Sequence, residues 1–155
     1  MTETLMAITR IEAANLAELL RQFRELMDAA DGNDPAVQRL TPDAYPGDAP
    51  SSEQFRELTA SDLLSRRDAD ARAVLASLGA PLEVPRTETE ALEEITLALS
   101  SEQLEAWLRA LAALRLVLAS RLGIASEDDH DQSDPRYSVY EWLGYRLESL
   151  IQLTE

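Results

Sequence analysis

The run Ser100-Ser-Glu-Gln-Leu104-Glu-Ala-Trp107-Leu-Arg-Ala-Leu111-Ala-Ala-Leu114-Arg-Leu-Val-Leu118-Ala-Ser-Arg-Leu122-Gly123 is too apolar for a surface helix, so the rest of the chain must be arranged around it. Ser100 and Gln103 have capping-box spacing, and Gly123 supplies the C-terminal stop. Between them Leu104, Trp107, Leu108, Leu111, Leu114, Leu116, Val117, Leu118 and Leu122 cover more than one helical face. Such a helix belongs at the centre of a bundle or at an oligomer interface such as a homodimer.

Upstream, Thr9 and Glu12 repeat the capping-box spacing with Ile8 placed as a staple, and Leu16, Leu19, Leu20, Phe23, Leu26, Met27 and Ala30 recur at helical spacing. A helix over residues 12–30 follows, stopped by Asp31-Gly32-Asn33-Asp34-Pro35. Residues 5–8 leave a short strand open. Residues 31–51 hold four of the seven prolines and read as an ordered loop with at most a short turn at 36–40. A helical stretch over 52–78 has a second cap-like signal at Thr59-Ala-Ser-Asp62, which predicts a break near 59–61. Residues 82–100 are ambiguous, since Ile95-Thr-Leu-Ala-Leu99 fits either a short strand or the end of a helix from Thr89. Downstream of the central helix, residues 124–134 form an acidic loop, and Asp134-Pro135 reads as N-cap and first residue of a last helix reaching Leu153. The expectation is one all-α domain over 1–155 with about five helices. In it, helix 101–122 packs centrally against 12–30, 61–78 and 135–153.

Composition narrows the function classes. The 155 residues contain no cysteine, no lysine, one histidine, 14 arginines and 29 acids, for a net charge of −15. Thiol nucleophiles, thiolate metal sites and Schiff-base lysines are thereby excluded. No apolar run approaches the roughly 18–20 residues a membrane span needs, and the N-terminus lacks a basic leader, which points to the cytoplasm. A pI of about 4.4, with no basic run longer than Arg66-Arg67, argues against strong independent nucleic-acid binding and against anionic membranes. A basic protein partner would be steered toward this surface.

The polar clusters offer little chemistry. Glu127-Asp128-Asp129-His130-Asp131 could hold a divalent cation, but counting from Asp129 there is no glycine at the sixth position and no glutamate at the twelfth, and His130 has no second histidine. A solvated loop is the better reading. No nucleophile elbow, phosphate loop or dinucleotide fingerprint occurs, and Glu93-Glu94 reads as a solvated face. The sequence therefore predicts no enzyme, no cofactor and no metal site. Trp107 and Trp142 fit the core or a partner anchor, while Arg115 and Arg121 fit either ion pairs with acids on neighbouring helices, such as Glu141 or Glu148, or a reach into solvent. Arg136, Tyr137, Tyr140, Tyr145 and Arg146 form a mixed aromatic and basic group on the last helix, the candidate protein-contact surface.

Three blocks carry a resemblance. They are Asp34-Pro35-Ala-Val-Gln-Arg39-Leu40-Thr-Pro42-Asp-Ala-Tyr45 with Phe55-Arg56-Glu57-Leu58-Thr59; Ala106-Trp107-Leu108 continuing through Leu114-Arg115-Leu116 to Arg121-Leu122-Gly123-Ile124; and Tyr140-Glu-Trp142-Leu143-Gly144 ending Glu148-Ser149-Leu150. Together they resemble a family of small actinobacterial proteins carried as a domain of unknown function, with which the arginine-only composition agrees. Its genes often sit beside those of the ClpS proteolytic adaptor and a cysteine-biosynthesis cluster, and it is also described as an oxidative-stress transcriptional regulator, AosR. The resemblance implies a cytoplasmic regulator acting through a stress sigma factor, with an accessory role in ClpS-linked proteolysis as the alternative. It does not extend to thiol sensing, since the chain has no cysteine.

Overall fold

The computed structural model describes residues 3–41, 49–79, 84–124 and 137–154, the side chains of 49–58 excepted. Within them the order is β1 (Thr4–Thr9), α1 (Arg10–Ala29), α2 (Pro35–Leu40), α3 (Ala49–Leu78), α4 (Glu88–Leu92), β2 (Glu94–Leu99), α5 (Ser101–Leu122) and α6 (Ser138–Leu153). The domain is mostly helical, as expected, and the short strand left open at residues 5–8 forms; its pairing with a second strand is what departs from an all-α bundle. β1 and β2 pair antiparallel from Thr4 opposite Leu99 to Thr9 opposite Glu94. Met6 and Ile8 are buried together with Leu99 on the inner face, while Leu5 and Ala7 face outward. The two strands are far apart in sequence, and only their pairing distinguishes the short apolar run at 95–99 from the end of a helix.

Both capping boxes form. Thr9 Oγ1 accepts from Glu12 N and Ser100 Oγ accepts from Gln103 N, while the side chains of Glu12 and Gln103 reach back to the cap N–H groups. Gly123 closes α5 in the left-handed region at φ 74°. Ala30 does the same for α1 at φ 48°, a conformation that disfavours a side chain.

Two further boundaries differ from expectation. The short turn expected at 36–40 is the helix α2, with Asp34 as N-cap and Pro35 at its first position. α3 runs unbroken through Thr59, and its start at Ala49 shortens the expected loop 31–51. A cap-type side chain is worth only about 1 kcal/mol, too little to break a helix that tertiary packing prolongs. α6 begins at Ser138, without a side-chain cap bond from Tyr137. Asp134, Pro135 and the acidic loop, His130 included, lie outside the described residues.

α5 is the hub, as its composition predicts, packing against α3, α6 and α2 and more lightly against α1. α1 lies mainly on α3. Trp107 is fully buried, and its Nε1 donates to Ser77 Oγ at 3.0 Å, whose hydroxyl donates to Ala73 O at 2.8 Å. That satisfies the indole N–H and assigns Trp107 to the core. No helix among the described residues is long and apolar enough to cross a membrane.

Candidate functional site

Glu12 is the residue around which the N-terminal and C-terminal elements close. As the third residue of α1 it receives Thr9 N (3.2 Å) and Thr9 Oγ1 (2.9 Å) on Oε1. Its Oε2 accepts Trp142 Nε1 at 2.7 Å and Arg146 Nη2 at 2.6 Å, both from α6. Arg146 Nη1 also donates to Ala7 O on β1 at 3.0 Å. One carboxylate and one guanidinium thus join β1, α1 and α6. Burial raises the Glu12 pKa, but the hydrogen bonds from Arg146, Trp142 and Thr9 outweigh it and leave the carboxyl below its ordinary value. A carboxylate held ionised by its donors is a weak proton acceptor, so this group suits binding and architecture better than acid–base work. Arg146 Nε is buried with no hydrogen-bond partner among the described residues.

Beside this latch lies a cleft of about 410 Å³ lined by Ile11, Glu12, Asn15, Glu18, Leu19, Ser138, Val139 and Trp142. Its floor is apolar, and Val139 is 42% exposed. A second cleft of about 400 Å³ is lined by Leu19, Phe23, Leu26, Leu114, Val117 and Leu118, with Gln22, Glu25 and Arg121 at its edge. Leu19 belongs to both. A larger one of about 580 Å³ between α1 and α3 is polar and self-neutralising, because Arg24 and Arg72 both bind Asp68, at 2.9 and 3.3 Å, with Asp28 beside them.

The sequence-predicted contact group is dispersed. Tyr140 is buried, with Arg115 Cζ 4.1 Å above its ring centroid. Tyr137 is half-buried against Ala119, Ile124 and Tyr140. Among its described members Tyr145 alone projects into solvent, at 69% exposure, whereas Arg146 turns back to Glu12 and is largely buried. Arg136 lies outside the described residues. Steps of 100° along α6 separate Tyr140 from Tyr145 and place Val139, Trp142 and Arg146 on one face toward α1 and β1. Trp142 was legible as a candidate anchor. Glu12 was legible only as a cap, because nothing local signals a partner 130 positions away.

The described parts of the resemblance blocks meet in space. Arg121 Nη1 and Nη2 each donate to Asp34 at 2.7 Å, fixing α2 to the end of α5, instead of pairing with Glu141 or Glu148. That guanidinium, the nearby backbone N–H groups and its charge hold the Asp34 carboxyl at about 2 against the opposing effect of desolvation. Arg39 Nη1 reaches Ile124 O at 3.4 Å. Arg115 Nε donates to Tyr140 O at 3.4 Å, and a Cβ on Gly144 would stand 2.8 Å from its Nη2, so a glycine lets the guanidinium lie across α6. Among the described residues no group of three or more His, Cys, Asp or Glu converges as a metal site. No curated protein and no solved structure matches the chain. A family model matches residues 3–154, nearly the whole chain: the chain belongs to the family described as domain of unknown function DUF2017.

Proposed function

We propose that the protein is a non-enzymatic, cytoplasmic regulator of transcription that works by protein contact, with a stress sigma factor as its partner. The observation that carries this reading is how the positive charge is used. At least eight of the fourteen arginines pair with the chain's own carboxylates, so the basic groups are spent internally and a partner meets an acidic surface. Such a surface repels phosphates and steers a basic partner in. The apolar clefts along α1 add hydrophobic area of the kind that carries binding energy once buried. The depressed carboxyl of Glu12 supports a non-catalytic role for the residue that joins the termini.

Calorimetry of the purified chain with a stress sigma factor from the same organism, at two salt concentrations, tests it. Micromolar or tighter binding that weakens with salt is the expected result. Promoter DNA and ClpS serve as comparison ligands. Tight sequence-specific DNA binding without a partner, or ClpS binding with no sigma binding, overturns the reading.

A further inference from the structure

The two clefts that share Leu19 lie in line along α1. From Ile11 to Leu26 their α1 wall covers fifteen helical steps, roughly 22 Å at 1.5 Å per residue. The opposite wall is Val117 and Leu118 of α5, then Val139 and Trp142 of α6. That is the length and lining of a groove for about four turns of amphipathic helix.

Charge selects the occupant. The α1 rim carries Glu18 and Glu25, both exposed, with the polar but uncharged Asn15 and Gln22 between and beside them. Glu18 accepts from Arg21 at 3.3 Å and from Gln22 Nε2 at 3.2 Å, but both bonds are exposed, so water and salt weaken them and an incoming cation can compete for the carboxylate. Arg121, which lines the groove edge, has both guanidinium ends committed to Asp34. A second copy of the chain would bring another −15 to the same rim. We propose that the α1–α5–α6 groove takes a basic amphipathic helix from a partner protein, its apolar side on Leu19, Val117, Val139 and Trp142 and its arginines or lysines on Glu18 and Glu25. This rests on the protein-contact reading above and gives it a location and a partner chemistry.

The probe is a synthetic sixteen-residue peptide with leucines at helical i, i+4, i+7 and i+11 positions and arginines on the other face. A control peptide of identical composition has its leucines spread around the helix. Calorimetry with the full chain is expected to give micromolar binding, at least tenfold weaker for the control. Val139→Arg should weaken it at least tenfold, and so should the double exchange Glu18→Arg with Glu25→Arg, which touches only exposed side chains and leaves circular dichroism unchanged. Equal binding of the two peptides, or wild-type affinity in both variants, overturns the groove. So does self-association of the chain that Val139→Arg abolishes, which would assign the groove to a second copy. The two readings fail separately. Sigma-factor binding that survives both variants removes the groove and keeps the regulator; groove-dependent peptide binding without sigma affinity does the reverse.

Discussion

Asp34–Arg121 and Glu12–Arg146 are built from the same chemistry in two environments. In each, a carboxylate that caps a helix start also takes a guanidinium from a distant helix. The α2–α5 pair is a fork with two 2.7 Å bonds, and its arginine is 47% exposed. In the α1–α6 pair the arginine is only 13% exposed and the glutamate 21%, and Trp142 adds a third party. The two carboxylates are about equally shielded, Asp34 at 15% exposure, so the difference lies in the guanidinium, which water reaches in the fork and largely leaves in the latch. Exposed pairs are worth about 0–1 kcal/mol, whereas breaking a buried one strands a charge and costs about 3–5 kcal/mol. The fork thus orients a short helix, while the partly buried latch holds the first strand and the last helix together.

The largest effect should come from breaking the latch. Glu12→Ala leaves Arg146 and the Trp142 indole N–H without their acceptor and removes half a capping box, so urea unfolding should show a loss of about 3 kcal/mol. Because the Glu12 carboxyl is lowered in the fold, its contribution is complete above its ordinary pKa and disappears as pH falls through the folded value. Breaking the fork should cost less. Asp34→Ala removes the α2 cap and the Arg121 contact for about 1–2 kcal/mol, the ionic part reduced by solvent screening. The folded pKa of Asp34, about 2 against an ordinary 3.8, sets its window. The stabilisation is fully present above pH 3.8 and is lost as pH falls from there through 2. Asp34→Asn keeps a capping side chain and should lose that acid-range dependence, which stability measured between pH 5 and 2 would reveal.

Two smaller exchanges sharpen the comparison at the joints beside each pair. Ala30 leads from α1 toward Asp34 in a left-handed conformation. Ala30→Gly should therefore stabilise by about 0.5–1 kcal/mol in thermal unfolding. Gly144→Ala, two positions before Arg146, gains about 1 kcal/mol of helix propensity but pushes Arg115 off Tyr140. The net change in stability should stay within about 0.5 kcal/mol while the near-ultraviolet dichroism of the tyrosines changes.

Local signals were readable where they act locally. Thr9 with Glu12, and Ser100 with Gln103, formed the boxes their spacing predicts, since cap and N–H lie within one turn. Alternation was present in Glu94-Ile-Thr-Leu-Ala-Leu99, but six residues cannot say whether a partner strand exists. The cap-like Thr59 to Asp62 misled for the opposite reason, because a helix with continued packing overrides a weak stop. Grouping Tyr137, Tyr140, Tyr145 and Arg146 by type overlooked that a helix turns 100° per residue and sends Tyr140 inward and Tyr145 outward.

The central helix, the helix starts of α1 and α5, the acidic charge and the absence of thiol and lysine chemistry could all be read from the residues in order, because composition and one-turn hydrogen bonding depend on near neighbours alone. Tertiary structure alone decided the pairing of β1 with β2, the latch across 130 residues from Glu12 to Trp142, and the groove that three helices share. Each of these rests on residues distant in sequence, and their contact energies come into being only when packing brings the faces together.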